Sequence, residues 1–90
     1  MSRVIITVVG KDTVGIIAKT SAVLSRHNVN ILDITQSVLG DIFAMVMFAD
    51  ISGCNVPFRD LQNELETLGQ EIGVQISAVH EDIFNAMHTV

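Results

Sequence analysis

The spacing of hydrophobic positions changes several times along the chain, and each spacing predicts one element. The run Val4–Val9 is β-branched throughout, which favours a strand. From Gly15 to His27 the apolar positions recur at helical intervals and predict a helix. Two more strands are predicted at Ile31–Leu39 and Ile42–Ala49, and the Gly40-Asp41 pair between them predicts a tight hairpin turn.

The second half of the chain supplies another helix, a fourth strand and a tail. One helix stripe is predicted from apolar residues three or four positions apart, at Phe58, Leu61, Leu65, Leu68 and Ile72. Gly73 ends that helix, and alternation from Val74 to Val79 predicts the strand. The tail, residues 81–90, is a short helical segment that is too short to be stable alone. We therefore expect it to pack on the sheet or on a partner subunit.

The predicted order βαββαβ consists of two βαβ halves. Right-handed crossovers place both helices on one face of the sheet, and the strands of the two halves interleave in the order 4-1-3-2. This predicts an α+β, ferredoxin-like sandwich with a four-stranded antiparallel sheet. A second core is not expected in 90 residues, so residues 1–90 are predicted to form one domain. Ile5, Val9 and the strand from Ile42 to Phe48 still need a cover on the open face.

Composition limits the classes of partner. Hydrophobic residues make up 49% of the chain and charged residues 17%, which favours self-association into a homodimer or a higher homo-oligomer. The net charge of -5 and the scattered basic residues argue against nucleic-acid binding. The longest apolar run is far shorter than the roughly 20 residues of a membrane span. The N-terminal apolar stretch Val4–Val9 lacks the length and the small-residue cleavage site of a signal peptide, so a cytoplasmic location is expected.

The residues that carry metal or catalytic chemistry are isolated in the sequence. Cys54 is the single cysteine, so it cannot form a disulfide within the chain. His27, His80 and His88 lack the spacing of metal ligands. No nucleophile, base and orienting group occur at a recognisable spacing. We therefore predict no catalytic residues, no metal, no cofactor and no enzymatic activity.

The segment Gly10–Ile17 joins the first strand to the first helix. A helix N-terminus presents unpaired N–H groups at its positive end, which suits a carboxylate. Asp12 can accept hydrogen bonds from an amine, and Gly15 permits close approach of a ligand. An amino acid meets both requirements, so it is the expected ligand. The alternative is that Asp12 only caps the helix and Gly15 only relieves crowding.

Two short motifs resemble signatures of the ACT domains of amino-acid metabolism. The first is Gly10–Ile17, and the second is Val29-Asn30-Ile31 followed by Asp33-Ile34. The resemblance extends from Arg3 to His80. The chain is most similar to small stand-alone ACT proteins and to paired-domain regulators related to glycine-cleavage control, which are regulatory proteins.

The resemblance implies a particular ligand site. In ligand-binding members an effector amino acid lies at a subunit interface, which implies a site formed by Asp12, Thr13, Val14, Gly15, Ile16 and Asn30. Asp33 is a further candidate on the polar side of the second strand, where it can also be a solvated carboxylate. Two positions depart from the family pattern: Val14 replaces a frequent proline, and Gly10 replaces the histidine of serine-sensing relatives.

Two functions remain open at this point. One is a dimeric, allosteric regulatory module that binds an amino acid and signals to an unidentified protein partner. The other is an adaptor that uses the same fold only for protein association and binds no ligand. Dimers that join edge to edge and dimers that pack open face on open face both bury apolar surface.

Overall fold

Seven elements follow one another along the chain in a computed structural model that describes residues 2–11 and 15–87, with side chains up to residue 86. The first three are β1 (Arg3–Lys11), α1 (Ile16–Arg26) and β2 (Asn30–Leu39). They are followed by β3 (Ile42–Asp50), α2 (Phe58–Ile72), β4 (Val74–His80) and α3 (Glu81–Met87).

The four strands form one antiparallel sheet in the order β2-β3-β1-β4. This is the predicted order read from the opposite edge, so the ferredoxin-like βαββαβ fold is confirmed. The β2–β3 hairpin turns at Gly40, whose φ of 63° lies in the left-handed region that glycine adopts without strain. The turn therefore lies where the Gly-Asp pair predicted it.

The core lies between the sheet and the helices α1 and α2. Every second residue of each central strand is buried there, because successive side chains of a strand point to opposite faces. These residues include Val4, Ile6 and Val8 of β1 and Met45 and Met47 of β3. Leu24 of α1 and Leu61 and Leu65 of α2 pack against them.

β2 is more exposed than its sequence pattern predicts. In the sequence, Leu32, Ile34 and Val38 alternate with Asp33, Thr35 and Ser37, a pattern that predicts one covered face. In the structure only Ile31 is half-buried, and every other residue of the strand is exposed. β2 forms one edge of the sheet. The register with β3 shifts between Ile31 and Asp33, where Leu32 forms a β-bulge. The first two residues of β2 therefore pair in a different register from the remainder.

The short tail helix α3 lies on the open face of its own sheet. α3 contacts β1 and β4. Ile5 of β1 points away from α1 and α2, yet it is only 1% exposed. Arg3, which shares that face, donates a 2.8 Å hydrogen bond to Glu81 at the start of α3. α3 therefore covers the end of the open face where β1 begins.

Candidate functional site

The N-terminus of α1 opens at the end of the sheet where β1 finishes. Gly15 precedes the helix with a φ of 88°, and it has no side chain with which to bond the first N–H groups of α1. The Lys19 side chain lies close by, with its Cε 3.7 Å from where a Cβ of Gly15 would stand. Ile16, the first helical residue, is buried. The other predicted residues of this loop, Asp12, Thr13 and Val14, lie outside the described residues.

Asn30 and Asp33 lie towards the opposite end of the sheet. Asn30 pairs with Asp50, which in turn pairs with Arg3, the first residue of β1. Lys11 is the last residue of β1, and strand geometry places it roughly 26 Å from the level of Arg3. Within one chain the start of α1 therefore lies far from Asn30, because that distance greatly exceeds the length of an amino acid.

Gly10 is pressed against β4 and has no room for a side chain. A Cβ at this position would lie 2.6 Å from Cγ1 and 3.0 Å from Cα of Val74, its partner in the strand register. The histidine of serine-sensing relatives would therefore collide with β4 here. The departure from the family pattern at Gly10 has a steric reason in this chain.

A hydrogen-bonded carboxylate marks the end of the sheet near Asn30. Asp50 Oδ1 accepts hydrogen bonds from the hydroxyl of Ser52 at 2.6 Å and from its backbone N–H at 2.9 Å, and a longer one from the N–H of Ser2 at 3.3 Å. The Ser52 hydroxyl is the main cause that lowers the pKa of Asp50 below its ordinary value. Asp33 has a local bond, because its Oδ1 accepts from the N–H of Ile34 at 2.9 Å.

A side-chain network holds the turn that precedes Asn30. One ring nitrogen of His27 bonds Asn55 Oδ1 at 2.8 Å, and the other bonds Glu64 of α2. Glu64 also pairs with Arg26, whose carbonyl accepts from Asn55 Nδ2 at 3.2 Å. The sequence gives no signal for this network, because its members come from α1, the β3–α2 loop and α2.

The free edge of β2 carries much of the exposed apolar surface. Four of the eight exposed large hydrophobic residues in the described part of the chain lie on this strand: Leu32, Ile34, Val38 and Leu39. An edge strand also presents unpaired backbone N–H and C=O groups, and natural edges usually carry charges or prolines that block pairing. Among these ten residues only Asp33 is charged. β2 is therefore an edge open to pairing.

The other edge, β4, is partly blocked. Gln62 of α2 donates a 2.7 Å hydrogen bond from Nε2 to the carbonyl of Ala78, where a further strand would otherwise bond. A groove of about 790 Å³ runs beside it, between α2 and β4. Asn63, Glu66 and Gln70 line the α2 side of this groove. The two edges of the sheet are thus not equivalent.

Two kinds of site can be assessed directly in the described residues. In residues 2–11 and 15–87, no three His, Cys, Asp or Glu side chains are grouped so that they could hold a metal ion. No helix in the same part of the chain has the length and apolar character needed to cross a membrane. Cys54 is a free, half-buried thiol that packs against the core.

Comparison with known families identifies the family of this chain. The family model of the ACT domain matches residues 2–79. The chain belongs to the ACT domain family. This ACT domain is 50% identical to the UPF0237 protein of Methanocaldococcus jannaschii over 90 residues, which is 100% of each chain. It is 47% identical to the UPF0237 protein of Bifidobacterium longum over the same share of both chains.

Solved structures support the same assignment of the ACT domain. An ACT domain protein from Streptococcus pneumoniae is 40% identical, with a TM-score of 0.80 over 92% of this chain and 93% of that one. A putative glycine cleavage system transcriptional repressor shares the fold at 22% identity and a TM-score of 0.74, with 88% of this chain matching 45% of that one. The ligand-free regulatory subunit of aspartate kinase from Thermus thermophilus has a TM-score of 0.67 at 21% identity, with 88% of this chain matching 51% of that one.

Proposed function

We propose that this ACT domain is a regulatory module that binds an amino acid in a site shared between two copies of the chain. One copy would contribute Asp12, Thr13, Val14, Gly15 and Ile16 at the mouth of α1. The partner would contribute Asn30 and Asp33. The observation that carries the proposal is the separation of Lys11, the last residue of β1, from Asn30 at the opposite end of the sheet, because a second chain is then needed to bring the two groups together.

Pairing at the β2 edge is the arrangement that brings the two groups together. Two β2 strands that pair antiparallel place the start of one strand beside the end of the other. The end of β2 lies level with Lys11, since Leu39 pairs with Ile42 and Ile42 pairs with Lys11. Asn30 of the partner would therefore approach the end of the sheet where α1 begins. The two-fold symmetry would produce two equal sites.

The choice of edge rests on the contrast between β2 and β4. β2 has exposed Leu32, Ile34, Val38 and Leu39, which pairing would remove from water at a gain of about 25 cal/mol per Å² of apolar surface. β4 has its Ala78 carbonyl already bonded to Gln62. Pairing at β2 is thus favoured by apolar burial and by its free backbone groups.

The chemistry of the two groups suits an α-amino acid. The N–H groups at the start of α1 would bind the carboxylate, helped by Lys19 beside Gly15. Asp12 and Asn30 offer acceptors to the ammonium group. Two of the structural neighbours are named as a putative glycine cleavage system transcriptional repressor and as a regulatory subunit of aspartate kinase, and both names refer to amino-acid metabolism, which supports this class of ligand.

Thermal shift with each of the twenty amino acids is the first test. At least one amino acid should raise the Tm of the wild type, since a ligand that binds only the folded state stabilises it. Asp12→Ala and Asn30→Ala should each reduce that rise. Asn63→Ala, a change of the same residue type on the exposed side of α2, should leave it unchanged.

Mixing the two variants tests whether the site is shared. Neither pure variant dimer has an intact site, but a mixed dimer has one. If pairs form at random, an equal mixture should recover about one quarter of the wild-type sites, because half of the pairs are mixed and each has one good site of two. Calorimetric titration with the amino acid found by thermal shift would count them. Recovery of no sites would contradict a shared site, and no binding by any amino acid would favour the adaptor function.

A further inference from the structure

The open face of the sheet is covered at one end only. Along β1, the residues on this face become more exposed towards the end of the strand: Ile5 is 1% exposed, Thr7 is half-buried and Val9 is 46% exposed. α3 lies over the Ile5 end and stops short of Val9. We use the term bare end for the part of the open face near the end of β1.

The bare end is apolar. Val9, Ile42 and Leu39 are exposed there, with Leu39 at 76%. Ile42 lies on this face because its neighbour Phe43 is buried in the core on the other side. Adjacent exposed apolar residues on three neighbouring strands form a continuous patch, which in a small protein indicates an interaction surface.

At the covered end, α3 forms a raised surface that is also partly apolar. α3 rises above the sheet, and its Ile83 points to solvent at 52% exposure. We propose that a second copy of this chain docks on the open face, with α3 of each copy lying on the bare end of the other. The two-fold axis of this pair runs perpendicular to the strands. It therefore places α3 of one copy over the bare end of its partner.

One pair of opposite charges is compatible with the same arrangement, although the exposed Asp41 of the β2–β3 turn lies at the bare end too. Lys11 is an exposed residue of the bare end, and Asp82 is an exposed residue of α3. A two-fold axis across the strands sets Lys11 of one copy near Asp82 of the other. A two-fold axis along the strands would instead place α3 of one copy against α3 of the other. Asp82 would then lie near Asp82 of the partner, and both bare ends would stay in water.

The size of the contact predicts its strength. Three strands at about 4.8 Å spacing and a bare length of about 15 Å give roughly 220 Å² of bare surface in each copy. Counting both bare surfaces and the two surfaces that cover them gives roughly 880 Å², in the range of weak, transient interfaces. Association here is therefore weak and depends on concentration. It shares only Leu39 with the apolar residues of the β2 edge and includes none of the residues of the proposed amino-acid site, so it does not rest on the proposed function.

Cross-linking between two differently tagged chains tests the geometry. Both chains carry Cys54→Ser, one carries Ile83→Cys and the other Val9→Cys, and they are mixed under mild oxidation. The control replaces Val9→Cys with Ala22→Cys, an exposed position on α1, beyond the other face of the sheet. The 83–9 pair should form an intermolecular disulfide at least about tenfold faster than the 83–22 pair. Equal rates would overturn the proposal.

Sedimentation equilibrium over a range of concentrations gives an independent measurement. Ile83→Asp places a charge in the contact and should weaken the association about tenfold or more. Thr67→Asp, an exposed change on α2, should leave it as in the wild type. Circular dichroism confirms that both variants are folded. An Ile83→Asp chain that associates as strongly as the wild type would overturn the proposal.

Discussion

Replacing Gly69 with alanine tests how closely α2 packs on β4. Gly69 is buried near the end of α2. A Cβ at this position would lie 2.7 Å from the carbonyl oxygen of Val74 and 3.2 Å from the backbone nitrogen of Ile76. Both atoms belong to the main chain of a strand that is hydrogen-bonded to β1, so neither can move aside as a flexible side chain would.

Two opposing effects set the magnitude for Gly69→Ala. Alanine is favoured over glycine in a helix by about 1 kcal/mol. Forcing an extra methyl into a well-packed contact costs about 1–3 kcal/mol, and the upper part of that range applies because the nearest atom is backbone. The net loss should be about 1–2 kcal/mol, which lowers the Tm of a domain of this size by roughly 5–15 °C.

Thermal and urea unfolding of Gly69→Ala beside Gln70→Ala would measure this loss. Gln70 is the next residue along the helix and is exposed, so its replacement should change the stability by no more than about 0.5 kcal/mol. A Gly69→Ala chain that unfolds at or above the wild-type Tm would refute the reasoning. Such a result would mean that α2 does not lie on β4 at the distance described.

Two further predictions concern Thr20 and Asp50. The fully buried Thr20 hydroxyl has no hydrogen-bond partner within residues 2–11 and 15–87, so Thr20→Val should stabilise the fold by about 1 kcal/mol in urea unfolding. Thr67→Val on exposed α2 should not, and equal effects would contradict the prediction. Because the folded-state pKa of Asp50 is lowered from 3.8, its contribution to stability is present above that value and lost as the pH falls through the lowered one. The stability difference between wild type and Asp50→Asn should therefore shrink below about pH 5, and a difference that stays constant with pH would contradict the assignment.

Most of the fold follows from local patterns in the sequence. The stripe from Phe58 to Ile72 and the Gly73 stop predicted the bounds of α2 as the structure has them, because a single amphipathic face decides both ends. The hairpin turn at Gly40 was likewise predicted from a local pattern, the Gly40-Asp41 pair between two strands. The exposure of β2 could not be read in this way. It depends on the position of the strand in the sheet, since an alternating edge strand and an alternating covered strand have the same pattern.

The candidate site was predicted only in part for the same kind of reason. The helix start at Gly15 is a local feature, and the sequence indicated it. Its distance from Asn30 depends on the register of three strands, which no spacing within the loop encodes. The link between His27 and Glu64 depends on how α1 and α2 cross, and their separation of 37 residues carries no pattern. The assignment of Asp12 remains a prediction.

The bond from Gln62 to the Ala78 carbonyl has a consequence for how far a sheet of this kind can grow. A sheet with two open edges can add further copies at both edges and so form fibres. A sheet with one open edge and one partly blocked edge pairs more readily through the open edge alone. The side-chain amide of Gln62 bonds the Ala78 carbonyl, which a backbone N–H of an added strand would otherwise bond. A neutral side chain of α2 thus occupies one of the backbone acceptors that strand pairing at the β4 edge would use.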